Sequence, residues 1–423
     1  MIKLKDSGIE WIGQIPSHWQ VLRHKDIMKK IKDICEKYNG EDILSLSMKG
    51  VLKRDLNNPS GKMPTTFDGY QRVKRDNLLL CLFDIDVTPR CVGLIKDDGL
   101  TSPAYSQFQM KKGDFTSYYN YLLTMIDDNK SFLHLSKNLR SSLTEDDFGA
   151  IPTVRPTFNE QVKIAKYLDE KCEKIDKLIK LQNEQLERLK EYKLNFITEI
   201  ITKGIKSKAS LKDSGIEWIG QIPSHWQVLR MKNIGKCFGG LTYSPEDVCN
   251  EGEGTLVLRS SNIKEGQLVF TDNVYVKQKE GIPFVKKGDI FICSRNGSRE
   301  LIGKNAYIDK DYPYSFGAFM MVFRPNKGTN PLYIQKILSS QIFKYYLGTF
   351  LTATINQLTK SNFDNMKIVY CPNIEEQEEI VKHIENKTVK IESLIKEKEK
   401  KIAKLQDYKK SLIYECVTGK KEI

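Results

Sequence analysis

The sequence predicts an α+β protein: two globular domains of mixed α/β content joined by two long helices that pair as an antiparallel coiled coil, with pseudo-two-fold symmetry. Three observations predict it. Leu4 to Arg23 reads LKDSGIEWIGQIPSHWQVLR, and Leu211 to Arg230 repeats it without a mismatch, an offset of 207 residues (211 − 4). Pro156-x-x-x-Glu160-Gln161-x-x-Ile164 recurs as Pro372-x-x-x-Glu376-Gln377-x-x-Ile380, an offset of 216 (376 − 160). Each of these motifs opens a stretch whose apolar residues return about every 3.5 positions, the seam of a coiled coil. A repeat of this size is a duplicated domain-plus-helix and not a solenoid unit. A chain of 423 residues is also too long for one core.

Taken in order, residues 1–155 form a first globular domain, 156–206 a first helix, 207–371 a second domain and 372–423 a second helix. The identical opening segments hold all four tryptophans, Trp11, Trp19, Trp218 and Trp226, with Pro16, His18, Pro223 and His225. Identical residues heading domains that otherwise differ point to a shared packing role. In the second domain, Thr255–Arg259, Val285–Cys293, Phe319–Phe323 and Met366–Tyr370 are strand-like runs bounded by turn residues. Pro331 to Leu347 reads as a helix. Val73–Cys81 and Ser142–Phe148 echo Val285–Cys293 and Gln357–Phe363, so one strand frame carries two sets of loops.

The long helices start at capping-box-like Thr157-x-x-Glu160 and Asn373-x-x-Glu376. The first seam is Ile164, Leu168, Ile175, Ile179, Leu186, Leu189 and Phe196. Adding 216 gives Ile380, Ile384, Ile391, Ile395, Ile402, Leu405 and Leu412. The chain returns between the helices through a whole domain, which makes antiparallel pairing the economical arrangement. Gly204 and Gly419 stop them.

The net charge is +13 and the pI about 9.0. Residues 1–159 carry 23 basic against 20 acidic side chains, 160–206 carry 11 against 9, 207–373 carry 21 against 14, and 374–423 carry 12 against 11. The excess therefore lies mainly in the globular parts, and a basic globular surface points to a polyanion, nucleic acid first. No apolar run approaches the roughly 20 residues of a membrane helix. Nine scattered cysteines without a C-x-x-C pair argue against a disulfide framework and a zinc site and for a cytoplasmic protein. Asn330-Pro-Leu-Tyr333 lacks the second proline of an amino-methyltransferase loop. Gly297 to Asn305 has five residues between glycines where a phosphate loop needs four. Neither offers catalysis, and no metal or catalytic residue is expected.

Two variable domains, each followed by a Pro-x-x-x-Glu-Gln-x-x-Ile helix, with Gly-Ile-Glu-Trp-Ile-Gly-x-Ile-Pro-x-His-Trp at each opening, resemble the specificity (S) subunits of type I restriction–modification enzymes. Lys287-Gly-Asp-Ile, Arg259-Ser-Ser-Asn262, Thr354-Ile-Asn-Gln357 and Ser411–Lys420 share the resemblance. It implies that each domain is a target recognition domain reading one half of a split double-stranded DNA sequence, and that the helices fix the unread spacer. It implies two modification (methyltransferase) subunits docked on the helices, carrying the S-adenosylmethionine that this chain itself does not bind, and restriction (translocase and nuclease) subunits joining them. Base reading needs side chains that donate and accept at groove edges. In the second domain those are Arg259, Ser261, Asn262, Arg295, Asn296, Ser298, Arg299, Asn356 and Gln357. Position matching gives Lys49, Arg54, Arg90, Lys137, Arg140 and Ser141 in the first. Two other readings fit the residues: a coiled-coil assembly scaffold with incidental basic charge, and the recognition part of a split restriction enzyme.

Overall fold

The short apolar runs Leu78–Leu80 and Ile290–Cys293 are buried at every residue, as the interior strand of a sheet covered on both faces must be. In the computed structural model, which describes residues 3–58, 64–136, 141–205, 210–277, 281–351 and 356–423, each run lies inside a four-stranded antiparallel sheet. The chain divides into two compact units. Residues up to Asn183 with Lys400–Ile423 make unit 1, and Glu184–Glu399 make unit 2. The division thus falls within the long helices, not at the domain–helix junctions drawn from the sequence, because each globular part packs on the start of one helix and the end of the other.

In unit 1 the central sheet runs, strand by strand, Met28–Ile31, Ser106–Met110, Leu78–Leu80 and Val92–Leu94. Gln20–Arg23 pairs with Pro152–Arg155, and Leu4–Asp6 pairs with Gln14–Pro16. Unit 2 repeats this order with Gly235–Gly239, Met320–Pro325, Ile290–Cys293 and Asn305–Tyr307. Its opening hairpin is Leu211–Asp213 with Gln221–Pro223, and Gln227–Arg230 pairs with Lys367–Tyr370. The units differ outside this frame. Unit 1 adds the hairpin Leu44–Ser47/Gly50–Lys53, whereas unit 2 adds a second four-stranded sheet containing the parallel pair Thr255–Leu258/Ser315–Phe316.

The expected helix from Pro331 to Leu347 is two helices, Pro331–Leu338 and Gln341–Phe350. Ser340 breaks it by turning its hydroxyl to the Ile342 amide as an N-cap. Asn330 likewise caps Pro331–Leu338 by accepting from the Leu332 amide at 2.9 Å, and Tyr333 is buried. The expected strand Val285–Cys293 starts only at Ile290, since Lys286–Asp289 forms a turn with Gly288 at φ 89°.

The long helices span Phe158–Lys203 and Ile374–Val417. They run antiparallel within each unit: Asp176 pairs with Lys409 at 2.7 Å in unit 1, and Lys193 pairs with Glu392 in unit 2. These are one ion pair made twice, because adding 216 to Asp176 and Lys193 gives Glu392 and Lys409. The seam residues Ile164, Leu168, Ile175, Leu186, Ile380, Ile384, Ile391 and Leu412 are buried. Ile179, Leu189, Phe196, Ile395, Ile402 and Leu405 are half-buried. At the helix ends the apolar face widens. Ala165 and Cys172 with Ile413, Cys416 and Val417 enter the core of unit 1, and Ile197, Ile200 and Ile201 enter that of unit 2. No helix among the described residues is long and apolar enough to cross a membrane.

Candidate nucleic-acid interface

The shared opening segments act as sockets for the helices. Glu160, in the first turn of its helix, accepts from Thr157 through Oε2 and from His18 (2.8 Å) and Trp19 Nε1 (3.2 Å) through Oε1. Burial alone would raise this carboxyl, but the hydrogen bonds from Thr157, His18 and Trp19 outweigh it and hold it at about 2. Glu376 repeats the clamp with His225 at 2.9 Å and Trp226 at 3.2 Å. The neighbouring glutamines are fully buried. Gln161 accepts from the Phe115 amide and donates to the Pro156 carbonyl, and Gln377 does the same with Asn330 and Cys371. The Pro-x-x-x-Glu-Gln pattern is therefore a fastening for the strand frame. Trp19 and Trp226 are buried, Trp11 is half-buried, and Trp218 lies exposed against the ring of Tyr345 at 4.4 Å.

That frame gathers loops far apart in sequence. In unit 2 the strand Ile290–Cys293 runs out into Ser294, whose carbonyl accepts from the Leu358 amide at 2.8 Å. The Ser294 amide and hydroxyl both donate to the Phe319 carbonyl, at 3.0 and 2.8 Å, and the Arg295 amide adds a third bond at 3.0 Å. Arg295 and Gln357 then meet in an isolated antiparallel bridge, and Asn296 Nδ2 donates to Ser260 Oγ at 3.1 Å. Arg295, Ser298, Arg299, Asn356, Gln357 and Ser261 are exposed, and Asn296 is half-buried. Arg299 is tethered to the Leu351 carbonyl at 2.6 Å, and Arg259 is paired with Asp272 at 2.8 Å.

Two expectations are corrected. Asn262 is fully buried; it accepts from the Arg259 amide and donates to the Val269 carbonyl at 3.0 Å, so its polar atoms are spent on folding the loop. Arg90 in unit 1 is mostly buried between Asp127 at 3.1 Å and Asp128 at 2.9 Å, a structural ion pair. Lys49 is exposed at the tip of the Leu44–Lys53 hairpin. Arg54 is half-buried just beyond that hairpin, and Ser141 takes the left-handed conformation, φ 46°, with its carbonyl accepting from Ile85. Lys137 and Arg140 lie outside the described residues.

Sequence reasoning missed the aromatic side chains. Phe319 is 59% exposed, and the Arg295 guanidinium sits 5.1 Å above its ring. The corresponding place in unit 1 follows from the frame: Leu143 donates to the Leu82 carbonyl as Leu358 does to Ser294, so Phe83 stands where Arg295 stands. Phe83 stacks on Tyr105 at 6.0 Å, and Tyr105, like Phe319, immediately precedes the neighbouring strand. An Arg or Phe followed by a turn was the only signal, and it names no partner ring.

Among the described residues the arrangement presents donors, acceptors and π faces but no acid–base or nucleophilic constellation. Among the described residues no group of three or more His, Cys, Asp or Glu could hold a metal.

Known proteins share the sequence pattern and the fold. The type I restriction modification DNA specificity domain matches residues 223–404. The StySPI specificity subunit of Salmonella potsdam is 26% identical over 206 residues, 47% of this chain and 44% of that one, so the match spans less than half the relative's length. The MjaVIII specificity subunit of Methanocaldococcus jannaschii is 23% identical over 419 residues, 96% of this chain and 94% of the other. A chain solved in work on complex assembly and conformational transition of the type I R-M system shares the fold, with a TM-score of 0.69 at 13% identity over 96% of this chain and 99% of that one. The matching domain and the curated relatives together support a type I restriction–modification specificity subunit.

Proposed function

We propose that this chain reads a bipartite, asymmetric double-stranded DNA target for a type I restriction–modification complex, one half per unit, with a spacer of fixed length. It supplies recognition and leaves the chemistry to its partners. Two modification subunits, which bind S-adenosylmethionine, dock on the long helices and methylate adenine, and restriction subunits join that core. The observation that carries the reading is the convergence in unit 2 of Ser260, Arg295, Asn296 and Gln357, donors and acceptors drawn from distant loops onto one rigid sheet end. Unequal half-sites are supported by the different side chains at that place in unit 1.

Docking on the helices is supported by apolar residues that face away from the seam. Leu178 and Leu394 are both 47% exposed, and Tyr192 and Tyr408 are 50% and 54% exposed. Each pair is related by the 216-residue offset, so the duplicated helices keep the same two exposed apolar positions. Apolar side chains displayed off the seam are what a partner surface would cover.

Methylation mapping in a host carrying this gene with its modification partner tests the reading. A split motif with unequal halves and one spacer length is expected. Matched seven-residue insertions near Glu184 and Lys400 keep the seam in phase and add roughly 10 Å. They should widen the spacer by about three base pairs and leave both half-sites unchanged. A contiguous palindrome, or a spacer indifferent to the insertion, would refute the proposal.

A further inference from the structure

We infer that Arg295 reads a guanine in the half of the target contacted by unit 2, and that Phe319 is the residue that positions it. This rests on the reading proposed above and goes one step further, to a residue and a base.

The arginines on this face of unit 2 are not equivalent. Arg259 gives its guanidinium to Asp272, and Arg299 gives a donor to the Leu351 carbonyl. Among the described residues, the guanidinium of Arg295 has no carboxylate or carbonyl partner, and it lies over the Phe319 ring. Its in-plane N–H donors stay available while the ring fixes where they stand. The backbone of Phe319 is anchored, because its carbonyl takes the three bonds from Ser294 and Arg295, so the ring is displayed from a fixed point on the sheet end. Phe319 keeps 59% of its surface exposed, so the ring and the guanidinium over it face solvent. A guanidinium fork held in place matches O6 and N7 of guanine in the major groove better than any other base edge. In unit 1 the same position carries Phe83 on Tyr105, an uncharged pair with a single phenolic hydroxyl and no guanidinium fork, so that unit lacks a bidentate guanine reader there.

The test is selection of the full chain against a pool of randomised DNA duplexes, with sequencing of the enriched ones. The wild type is expected to enrich a motif with a guanine in one half. Arg295→Ala and Arg295→Lys should lose discrimination at that one base pair by about 5- to 150-fold and keep every other position. Phe319→Ala should lose part of it, Phe319→Tyr should restore it, and neither should alter the salt dependence of binding, because the charge remains. An Arg295 that merely held the backbone would behave otherwise: its alanine variant would weaken all sequences alike and lower the salt slope by about 1, which would overturn the inference. An unchanged motif in both alanine variants would overturn it too while leaving the proposed function standing. A wild-type chain that enriches no motif would overturn both.

Discussion

His24 and Met231 follow the two identical segments directly, and both are fully buried, but only one of them can take a proton. Burial pushes the imidazole down to about 4, from an ordinary value of 6.5. Folding therefore favours the neutral ring. That contribution is whole above pH 6.5 and is lost as the pH falls toward 4. At pH 5 the loss should be about 2 kcal/mol relative to pH 7. Unit 1 should show it and unit 2, with Met231, should not. His24→Met places in unit 1 the residue that unit 2 uses, and it should flatten the dependence. The window separates this from Glu160, whose carboxyl at about 2 matters only below its ordinary 4.5. Urea unfolding at pH 7 and pH 5, followed by hydrogen exchange in each unit, reads the difference; an equal acid loss in the variant would remove His24 as its cause.

At the scale of elements, the ends of the long helices carry the sharpest asymmetry. Gly419 and Gly204 both sit at positive φ, 69° and 73°, just past their helices. A Cβ on Gly419 would stand 2.4 Å from Pro16 and 2.9 Å from Trp19, while one on Gly204 would meet nothing closer than Trp226 at 3.3 Å. Both alanine variants carry the backbone strain of about 1 kcal/mol. Gly419→Ala adds a steric clash with a proline ring, so it should cost on the order of 1–3 kcal/mol more than Gly204→Ala. Thermal unfolding of the two variants checks the order, and equal costs would mean that the socket yields. The helices and their stops were legible in the sequence because a seam and its stop signals are local patterns that repeat. The strand frame was legible because the duplication showed it twice. The break at Ser340 was not, since a serine inside an apolar periodic run caps or continues a helix according to what its hydroxyl finds. Nor were the roles of Asn262, Arg90 and Phe319, because each depends on partners brought by other parts of the fold: Val269, Asp127 and Ser294.

At the scale of the whole molecule, unit 2 is one continuous stretch and unit 1 is two, separated by the 216 residues of Glu184–Glu399. The core around Ile12, Trp19 and Tyr118 is completed by Leu412, Ile413, Cys416 and Val417. Tyr118 donates to the Val417 carbonyl at 2.8 Å, and Lys420 reaches the Ile12 carbonyl at 2.8 Å. Ending the chain after Lys410 should strip these groups from unit 1 and leave the core of unit 2 whole. Limited proteolysis should then digest residues before Asn183 while sparing 210–399; equal protection of both would show that unit 1 stands without its last turns. The same arrangement bears on biosynthesis. Domains ordinarily fold in the order in which they leave the ribosome. Here the half translated first must wait, with its core open, for the last turns of the second helix, and closing so long a loop is entropically slow to begin. The half translated second has every residue of its core to hand once Glu399 has emerged. The first half to be made is the last to be finished.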